Sequence, residues 1–568
     1  MTDDTDSEDD GGGDGDGAGG GSSPTARHGT LVDWRAWGGD AFDHAQARTE
    51  PVLLYLTAPW CVACSEMDSA TFSEPRLAAH VGEGFVPVRV DADRHPRVRE
   101  RYNMGGFPST VFATPSGEIM TGATYLGPDG FRGILDSVRE LWASKGTGAG
   151  RVPRALQDPD PPSGTVTADI EAHMVEQVAA SFDEEFGGWG EGGKFPLPRA
   201  IEFAAKRDRD RAARTLEAVH AHLHDTYDGG FYRYAEHRDW SGLHREKLLD
   251  ENAALLRAFV TGYLYTGEET YREAAESGAD YLTTTLWTGE AFAGSQAGGD
   301  YYTLEPSDRE GTDPPHVDGT VFADRNGLAA DALLRLHAVT DAEAPRRYAE
   351  RALDHVLGTL VDGGTVTHYR EDGETAETGE SRLLVDGARL LAGLTTAVQV
   401  TGEGRYLDAA REVADAVLDL QAEDGAFLDG PPTGPGLLDR PLRPLDTNVE
   451  CADALIDLTY LSGEERYREA AGEALSAFAG AADRMGVEVA AYAAACARHH
   501  YDPLVVETPA AGTDLHRAAL RVADHEKVVL PGDRAAAVVR RGGERSAPAA
   551  DPEELAARVG EADQPSLE

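Results

Sequence analysis

Lysine is nearly absent from this chain. It occurs only at Lys145, Lys194, Lys206, Lys247 and Lys527, so nearly all of the 52 basic residues are arginine, set against 100 aspartates and glutamates in 568 residues. The resulting formal charge of −48 is spread along the sequence. Such a surface repels nucleic acid and anionic membranes, which excludes both as partners. In dilute salt it also repels itself, whereas in molar salt the screening length falls to about 3 Å. The composition is therefore read as that of a cytoplasmic protein from an extreme halophile. Long apolar runs are missing as well. No stretch approaches the roughly 20 apolar residues of a membrane span. The opening MTDDTDSEDDGGGDGDGAGGGSS has no apolar signal-peptide core, and residues 1–28 are expected to be a disordered acidic, glycine-rich tail.

Cysteine is scarce too. Cys61 and Cys64 form one close pair, while Cys451 and Cys496 stand alone. Four cysteines in a chain this long do not make a disulfide framework, and no second close pair completes a four-cysteine zinc site. No metal and no cofactor is expected.

What is present divides into regions. Residues 51–58 (PVLLYLTA) read as a strand, Cys64 to about Val81 as a helix, FVPVRVDAD as a second strand and RHPRVRERYNM as a short helix. STVFATPSGEIM reads as two strands around a Pro115-Ser116-Gly117 turn, and residues 129–144 as a closing helix. This places Trp60 and the pair Cys61-x-x-Cys64 between a strand and a helix N-terminus, where the dipole favours thiolate. Cys64, one turn on, is positioned to resolve a mixed disulfide. An idle pair and a metal-binding pair are the alternatives. PVLLYLTAPWCVACSEM and the later GGFPSTVF resemble the thioredoxin superfamily. The resemblance implies Cys61 as nucleophile, Cys64 as resolving thiol and Pro108 as a cis-proline facing them. Two features depart from it: Val62-Ala63 lies between the cysteines, and Tyr55 stands where many thioredoxins bury a proton-accepting aspartate.

Beyond a Gly/Pro/Asp/Ser-rich linker the chain turns helical and repeats. TGEETYREAAESGADYL, TGEGRYLDAAREVADAVL and SGEERYREAAGEALSAF share one pattern, with Tyr271, Tyr406 and Tyr467 in register. More apolar helices precede them, beginning near Asp250, Asp324, Asp386 and Asp446, three of which are followed two places on by Asn252, Asn326 and Asn448. The period is about 60 residues per helix pair, so the unit is a helical hairpin with its apolar member inside. The aspartates are read as N-caps that also ring a pocket at the long-loop end. A helix starting near Leu243 would put Lys247 and Asp250 on one face with Glu246 beside them, and His244 close by, as an acid/base cluster. Trp189, Phe231 and Trp240 are candidates to stack on a sugar ring. Lys194, Arg233 and Gln296 complete the candidate ligand contacts, together with Asn252, Asp324, Asn326, Asp446 and Asn448.

The segments DEEFGGWGEGGKFPLP, YDGGFYRYAEHRDWSGLHREKLLDENA, FAGSQAGGDYY and ADRNGLAADAL, in this order, resemble the thioredoxin-domain family typified by spermatogenesis-associated protein 20. The resemblance covers about residues 30–550. It implies an (α/α)6 toroid like that of six-hairpin glycosidases and sugar 2-epimerases, and a small C-terminal α/β piece. The expected layout is a thioredoxin-like domain (29–146), a linker (147–165), a toroid (166–502) and an α/β appendage (503–568). The leading functional expectation is dithiol–disulfide exchange on a protein or small-molecule partner. The alternatives are carbohydrate chemistry in the toroid pocket and a non-catalytic interaction scaffold.

Overall fold

The computed structural model describes residues 29–157, 160–371 and 377–562. The expected acidic tail lies outside them. The first unit runs β1 (Arg35–Ala36), α1 (Gly39–Arg48), β2 (Val52–Thr57), α2 (Val62–Ala70), α3 (Pro75–Gly82), β3 (Val86–Asp91), α4 (Pro96–Tyr102), β4 (Ser109–Ala113), β5 (Ile119–Ala123) and α5 (Pro128–Lys145). The sheet order is β1-β3-β2-β4-β5, with β2 parallel to β3 and antiparallel to β4. Every residue of β2 is buried because it is covered on both faces. Val52, Leu54 and Leu56 enter one core, and Leu53 and Tyr55 the other, as the period of two dictates. The single helix expected from Cys64 to Val81 is two, because Pro75 opens a new helix at its first position.

Twelve helices follow in alternation between an outer and an inner layer, interrupted by one-turn α11. They are α6 (Ala168–Ala180), α7 (Pro198–Arg207), α8 (Arg209–His222), α9 (Leu249–Thr266), α10 (Glu269–Thr284), α11 (Pro306–Arg309), α12 (Ala323–Thr340), α13 (Glu343–Thr359), α14 (Leu384–Thr401), α15 (Gly404–Leu418), α16 (Leu445–Ser462), α17 (Glu465–Phe478) and α18 (Ala490–Tyr501). The inner members α7, α9, α12, α14, α16 and α18 pack in that order, and α18 returns onto α6 and α7, closing the ring. Inner-to-outer turns are short: Gly267, Gly402 and Gly463 end α9, α14 and α16 in the left-handed conformation, and Asp341 does so for α12. Helices α12 and α14 approach closely where Gly327 faces Gly393; a Cβ on Gly393 would sit 2.7 Å from the Gly327 carbonyl oxygen.

Short strands lie between the helices: β6 (Tyr234–Ala235), β7 (Leu243–His244), β8 (Lys247–Leu248), β9 (Ser295–Gln296), β10 (Val317–Asp318), β11 (Val361–Asp362) and β12 (Thr365–Val366). A last unit, β13 (Val505–Thr508), α19 (Asp514–Leu520), β14 (Val528–Pro531), β15 (Val538–Arg541), β16 (Glu544–Arg545) and α20 (Pro552–Ala562), forms a four-stranded sheet in the order β14-β13-β15-β16. Among the described residues no helix is long and apolar enough to cross a membrane.

Two expectations at the inner-helix starts are corrected. Residues 243–248 are strand, and α9 begins at Leu249. Asp250, Asp324, Asp386 and Asp446 are not N-caps; they lie within the first turn, and the capping positions are Leu248, Phe322, Leu383 and Pro444. The asparagines do the pinning instead. Asn252 accepts the Phe231 N–H at 2.7 Å and donates to the carbonyls of Phe231 and Leu248. Asn326 repeats this with Phe292 and Phe322, and Asn448 with Phe427 and Pro444. Each fourth-position asparagine therefore ties the incoming loop to its helix start. In α14 that position is Gly387, where a Cβ would strike Val417. Asn448→Ala leaves three buried main-chain groups without their partner; at about 1–3 kcal/mol per orphaned group, we expect a loss of at least ~2 kcal/mol, measured as a lower urea midpoint for the helical signal.

Candidate functional site at the junction of the two modules

The N-terminal module sits on the end of the ring where the inner helices begin. Helix α4 docks on one side. Arg101 Nη1 lies 2.6 Å from Asp429, Arg97 donates to the carbonyls of Pro431 and Leu438, and Tyr102 accepts the Leu437 N–H. On the other side lies the cysteine pair. Cys61 and Cys64 are joined as a disulfide, Cys61 caps α2, and its Sγ accepts the Cys64 N–H at 3.1 Å. The Phe107–Pro108 bond is cis. Tyr55 is buried and donates to the Cys64 carbonyl, with its phenol pushed far up by burial, so it pins α2 and takes no proton.

The pair is not on open surface. Cys61 is 7% and Cys64 2% exposed, and both pack with Ala58, Trp60 and Leu248, the last contributed by β8 of the ring. Trp60 is the partition. Its indole donates to Asp93 Oδ2 at 2.9 Å, and the Arg233 guanidinium lies 4.5 Å from its ring. Asp93 is held in turn by Arg325, 2.8 Å from its Oδ1. Burial opposes the charge on Asp93, but Arg325 and the Trp60 indole outweigh it and keep the carboxyl below its usual range. The Asp93 carbonyl meets His368 Nε2 at 2.8 Å, and His368 Nδ1 meets Asp386 at 2.7 Å. Burial opposes charge on His368 too, yet Asp386 and Asp324 push it up to about 9. The ligating atoms of Asp324, His368 and Asp386 lie within 4.8 Å of one another.

Arg233, His368 and Asp429 hold equivalent places in three hairpins. Each follows a residue whose N–H reaches back across its loop: Tyr232 to Leu223, Thr367 to Leu360 and Leu428 to Leu420. All three touch the N-terminal module.

Below the junction a cavity of about 400 Å³ enters the ring. Phe195 and Tyr234 stack at 4.6 Å on its rim, and its wall alternates arginines (Arg233, Arg257, Arg335, Arg389) with carboxylates (Asp250, Glu251, Asp331, Glu450). Arg233 Nε donates to Glu251 at 3.0 Å, and Arg389 Nη1 to Asp324 at 3.0 Å. Burial, opposed by Arg233, pushes Glu251 up to about 7.

The structure brings Cys61, Cys64, Trp60, Pro108 and Arg233 together, and places Asp250 in the cavity wall. It separates the remaining sequence candidates. Lys247 is buried on Asp225 at 2.8 Å and on the Gly229 carbonyl at 2.7 Å, and Lys194 is likewise spent on Asp183 at 2.8 Å. Trp189, Phe231 and Trp240 are core residues, and the two indoles donate to the carbonyls of Val178 and Phe186, so they offer no stacking face. Gln296 accepts from Tyr281 and Tyr302 inside the ring. His244 stacks on Tyr234 at 4.1 Å and bridges Glu236 to Glu246, on the flank of the cavity. Asn252, Asn326 and Asn448 are clasps, Asp324 belongs to the junction network, and Asp446 is exposed and outside the cavity wall. Sequence reasoning missed Glu251, Asp93, Arg325 and His368. Glu251 stands inside the quoted DENA stretch and Asp93 inside VDAD, but only the fold gives them partners.

These features define a thioredoxin-like module seated on the mouth of a six-hairpin α/α ring. Residues 25–156 match the family model described as "Protein of unknown function, DUF255". The chain is similar to spermatogenesis-associated protein 20 from Homo sapiens, at 29% identity over 317 residues, 49% of this chain and 39% of that relative. It is also similar to an uncharacterized Caenorhabditis elegans protein, at 30% identity over 40% of this chain and 36% of that one. The matched region thus spans well under half the length of these relatives. A stretch of 86 residues, 15% of this chain, is 31% identical to 14% of the thiol:disulfide interchange protein DsbD of Yersinia pestis. Among solved structures, a sugar epimerase from a ruminal bacterium aligns with 55% of this chain and 86% of its own, at 14% identity and a TM-score of 0.45. A family 76 glycoside hydrolase (mannosidase) from Bacteroides thetaiotaomicron aligns with 53% of this chain and 84% of its own, at 13% identity and a TM-score of 0.39.

The His368 network carries a pH signature. A folded value near 9, above the ordinary 6.5, means that its stabilisation is complete below about pH 6.5 and is lost as pH rises through 9. We expect the melting temperature to fall between pH 7 and 10, and His368→Gln to start lower and flatten that slope, as measured by thermal unfolding across the range.

Proposed function

We propose that this chain carries out dithiol–disulfide exchange through Cys61 and Cys64. The observation that carries the reading is the place of Cys61 Sγ, the cap of α2, receiving a main-chain N–H with no acidic residue in the helix's first turn. A thiolate there is stabilised by the helix N-terminus, which lowers the thiol pKa below that of free cysteine. Cys64 is one turn away and close enough to close the ring. The DUF255 match and the short likeness to an interchange protein support the same chemistry. Alkylation of the reduced protein by iodoacetamide as a function of pH tests it. We expect Cys61 to titrate between about 4 and 7.5, not near 8.5; a midpoint at or above the free value sinks the assignment.

A second reading places carbohydrate chemistry in the ring cavity. Glu251 favours it: its carboxyl has an Oε2 without a partner and a pKa of about 7, which suits a proton donor at neutral pH. Under this reading the cavity binds a hydroxyl-rich ligand between its arginines and carboxylates. Activity on a sugar that survives Cys61→Ser with Cys64→Ser and falls by about 10²-fold or more in Glu251→Gln assigns the chemistry to the ring.

A further inference from the structure

We infer that the Cys61–Cys64 pair exchanges with a low-molecular-weight disulfide or thiol and not with a folded protein. The inference rests on the exchange reading and narrows its partner. A polypeptide substrate needs the face that joins the cysteines, Trp60 and the Phe107–Pro108 loop. In this chain that face is occupied from within. Leu248 packs on both cysteines and on Trp60, and Arg233 covers the far side of the indole.

The cover is not a loose flap. Leu248 lies in β8, paired with Ser295 of β9, which is paired in turn with β10. Its carbonyl is held by Asn252, and its neighbour Lys247 is locked on Asp225. The Asp93–Arg325 pair and the α4 arginines fix the module from two directions. Access is left on the helix side, past Val62, which is 43% exposed beside the nearly closed Cys61. That flank admits a reagent with a narrow, extended sulfur end and excludes a globular surface.

The chemistry needs only the small disulfide RSSR as oxidant. The Cys61 thiolate bonds to one sulfur, the R–S–S–R bond breaks and RS⁻ leaves. The Cys64 sulfur then bonds to Cys61 Sγ, its proton passes to a nearby base, and the second RS⁻ leaves. The dithiol loses two electrons and RSSR gains two; with two thiols as reductant the same steps run backwards. A cleft of about 100 Å³ behind Cys64 supplies the base, since Asp91, Asp68 and Asp318 line it with Arg89 and Arg94. Burial, then Asp93 and Asp318, push Asp91 up to about 7, so it takes and returns a proton near neutrality.

The test compares the reduced full-length protein with hydroxyethyl disulfide and with insulin, following closure of the Cys61–Cys64 disulfide, and in parallel with N-ethylmaleimide and a long polyethylene-glycol maleimide. Rates are normalised to the same reagents on the urea-unfolded chain. We expect the insulin and polymer rates to be suppressed about a hundredfold or more relative to the small reagents, because a large reagent must wait for local opening. Normalised rates that are equal for large and small reagents overturn the inference while leaving the exchange reading intact. Failure of hydroxyethyl disulfide to close the bond overturns both.

Discussion

A single buried ion pair, Asp93 with Arg325, joins the two halves of this molecule at the point where their chemistry meets. Asp93 follows the end of β3 and Arg325 lies in the first turn of α12, and both are buried. Removing either partner strands a charge at the junction, a defect that costs several kcal/mol where it has been measured in other proteins. Around this pair the other contacts are arranged. The Trp60 indole holds the second oxygen of Asp93, His368 takes the Asp93 carbonyl, and Arg325 also reaches the Gly294 carbonyl. The orientation of the tryptophan beside the cysteines is thus set by a residue of the ring.

From that constraint follows the enclosure of the thiol pair. Strand β8 exists because Lys247 and Asn252 anchor it, and its Leu248 side chain falls on the cysteines because the module is held at one angle. The arginine at position 233 then faces two ways, to the Trp60 ring and to Glu251 in the cavity wall. Thiol site and cavity are separated by one indole and one guanidinium, so a change of charge at Glu251 is felt at Trp60 through a single side chain.

Most of the architecture was readable from the chain, because it rests on local periodicities. Strand and helix patterns gave the N-terminal α/β unit, and the thrice-repeated Gly-turn-Tyr pattern gave the hairpins. The functional residues were less readable for a definite reason. Lys247 and Lys194 are rare and sit among acids, which reads as chemistry, but Asp225 and Asp183 neutralise them in the core. Trp189 and Trp240 resemble a sugar platform in sequence and are packed edge and face in the fold. The aspartates at the inner-helix starts were noticed for their spacing and assigned to capping, although the asparagines two places on hold the loops at three of the four. Pairing partners remote in sequence, such as Asp93 with Arg325 or His368 with Asp386, leave no local pattern.

The equivalent positions 233, 368 and 429 have one more consequence. A ring of like hairpins presents near-identical shoulders to anything laid on it, and shape alone would let a disc settle at several rotations. Here three matching shoulders carry a guanidinium, an imidazolium and a carboxylate, and each meets a different counterpart: an aromatic face, a peptide carbonyl and a pair of arginines. Turning the module by one hairpin would set Arg233 or His368 against the arginines of α4. The ring therefore works as a lock with three unlike wards, and pseudo-symmetric construction yields a single angular fit.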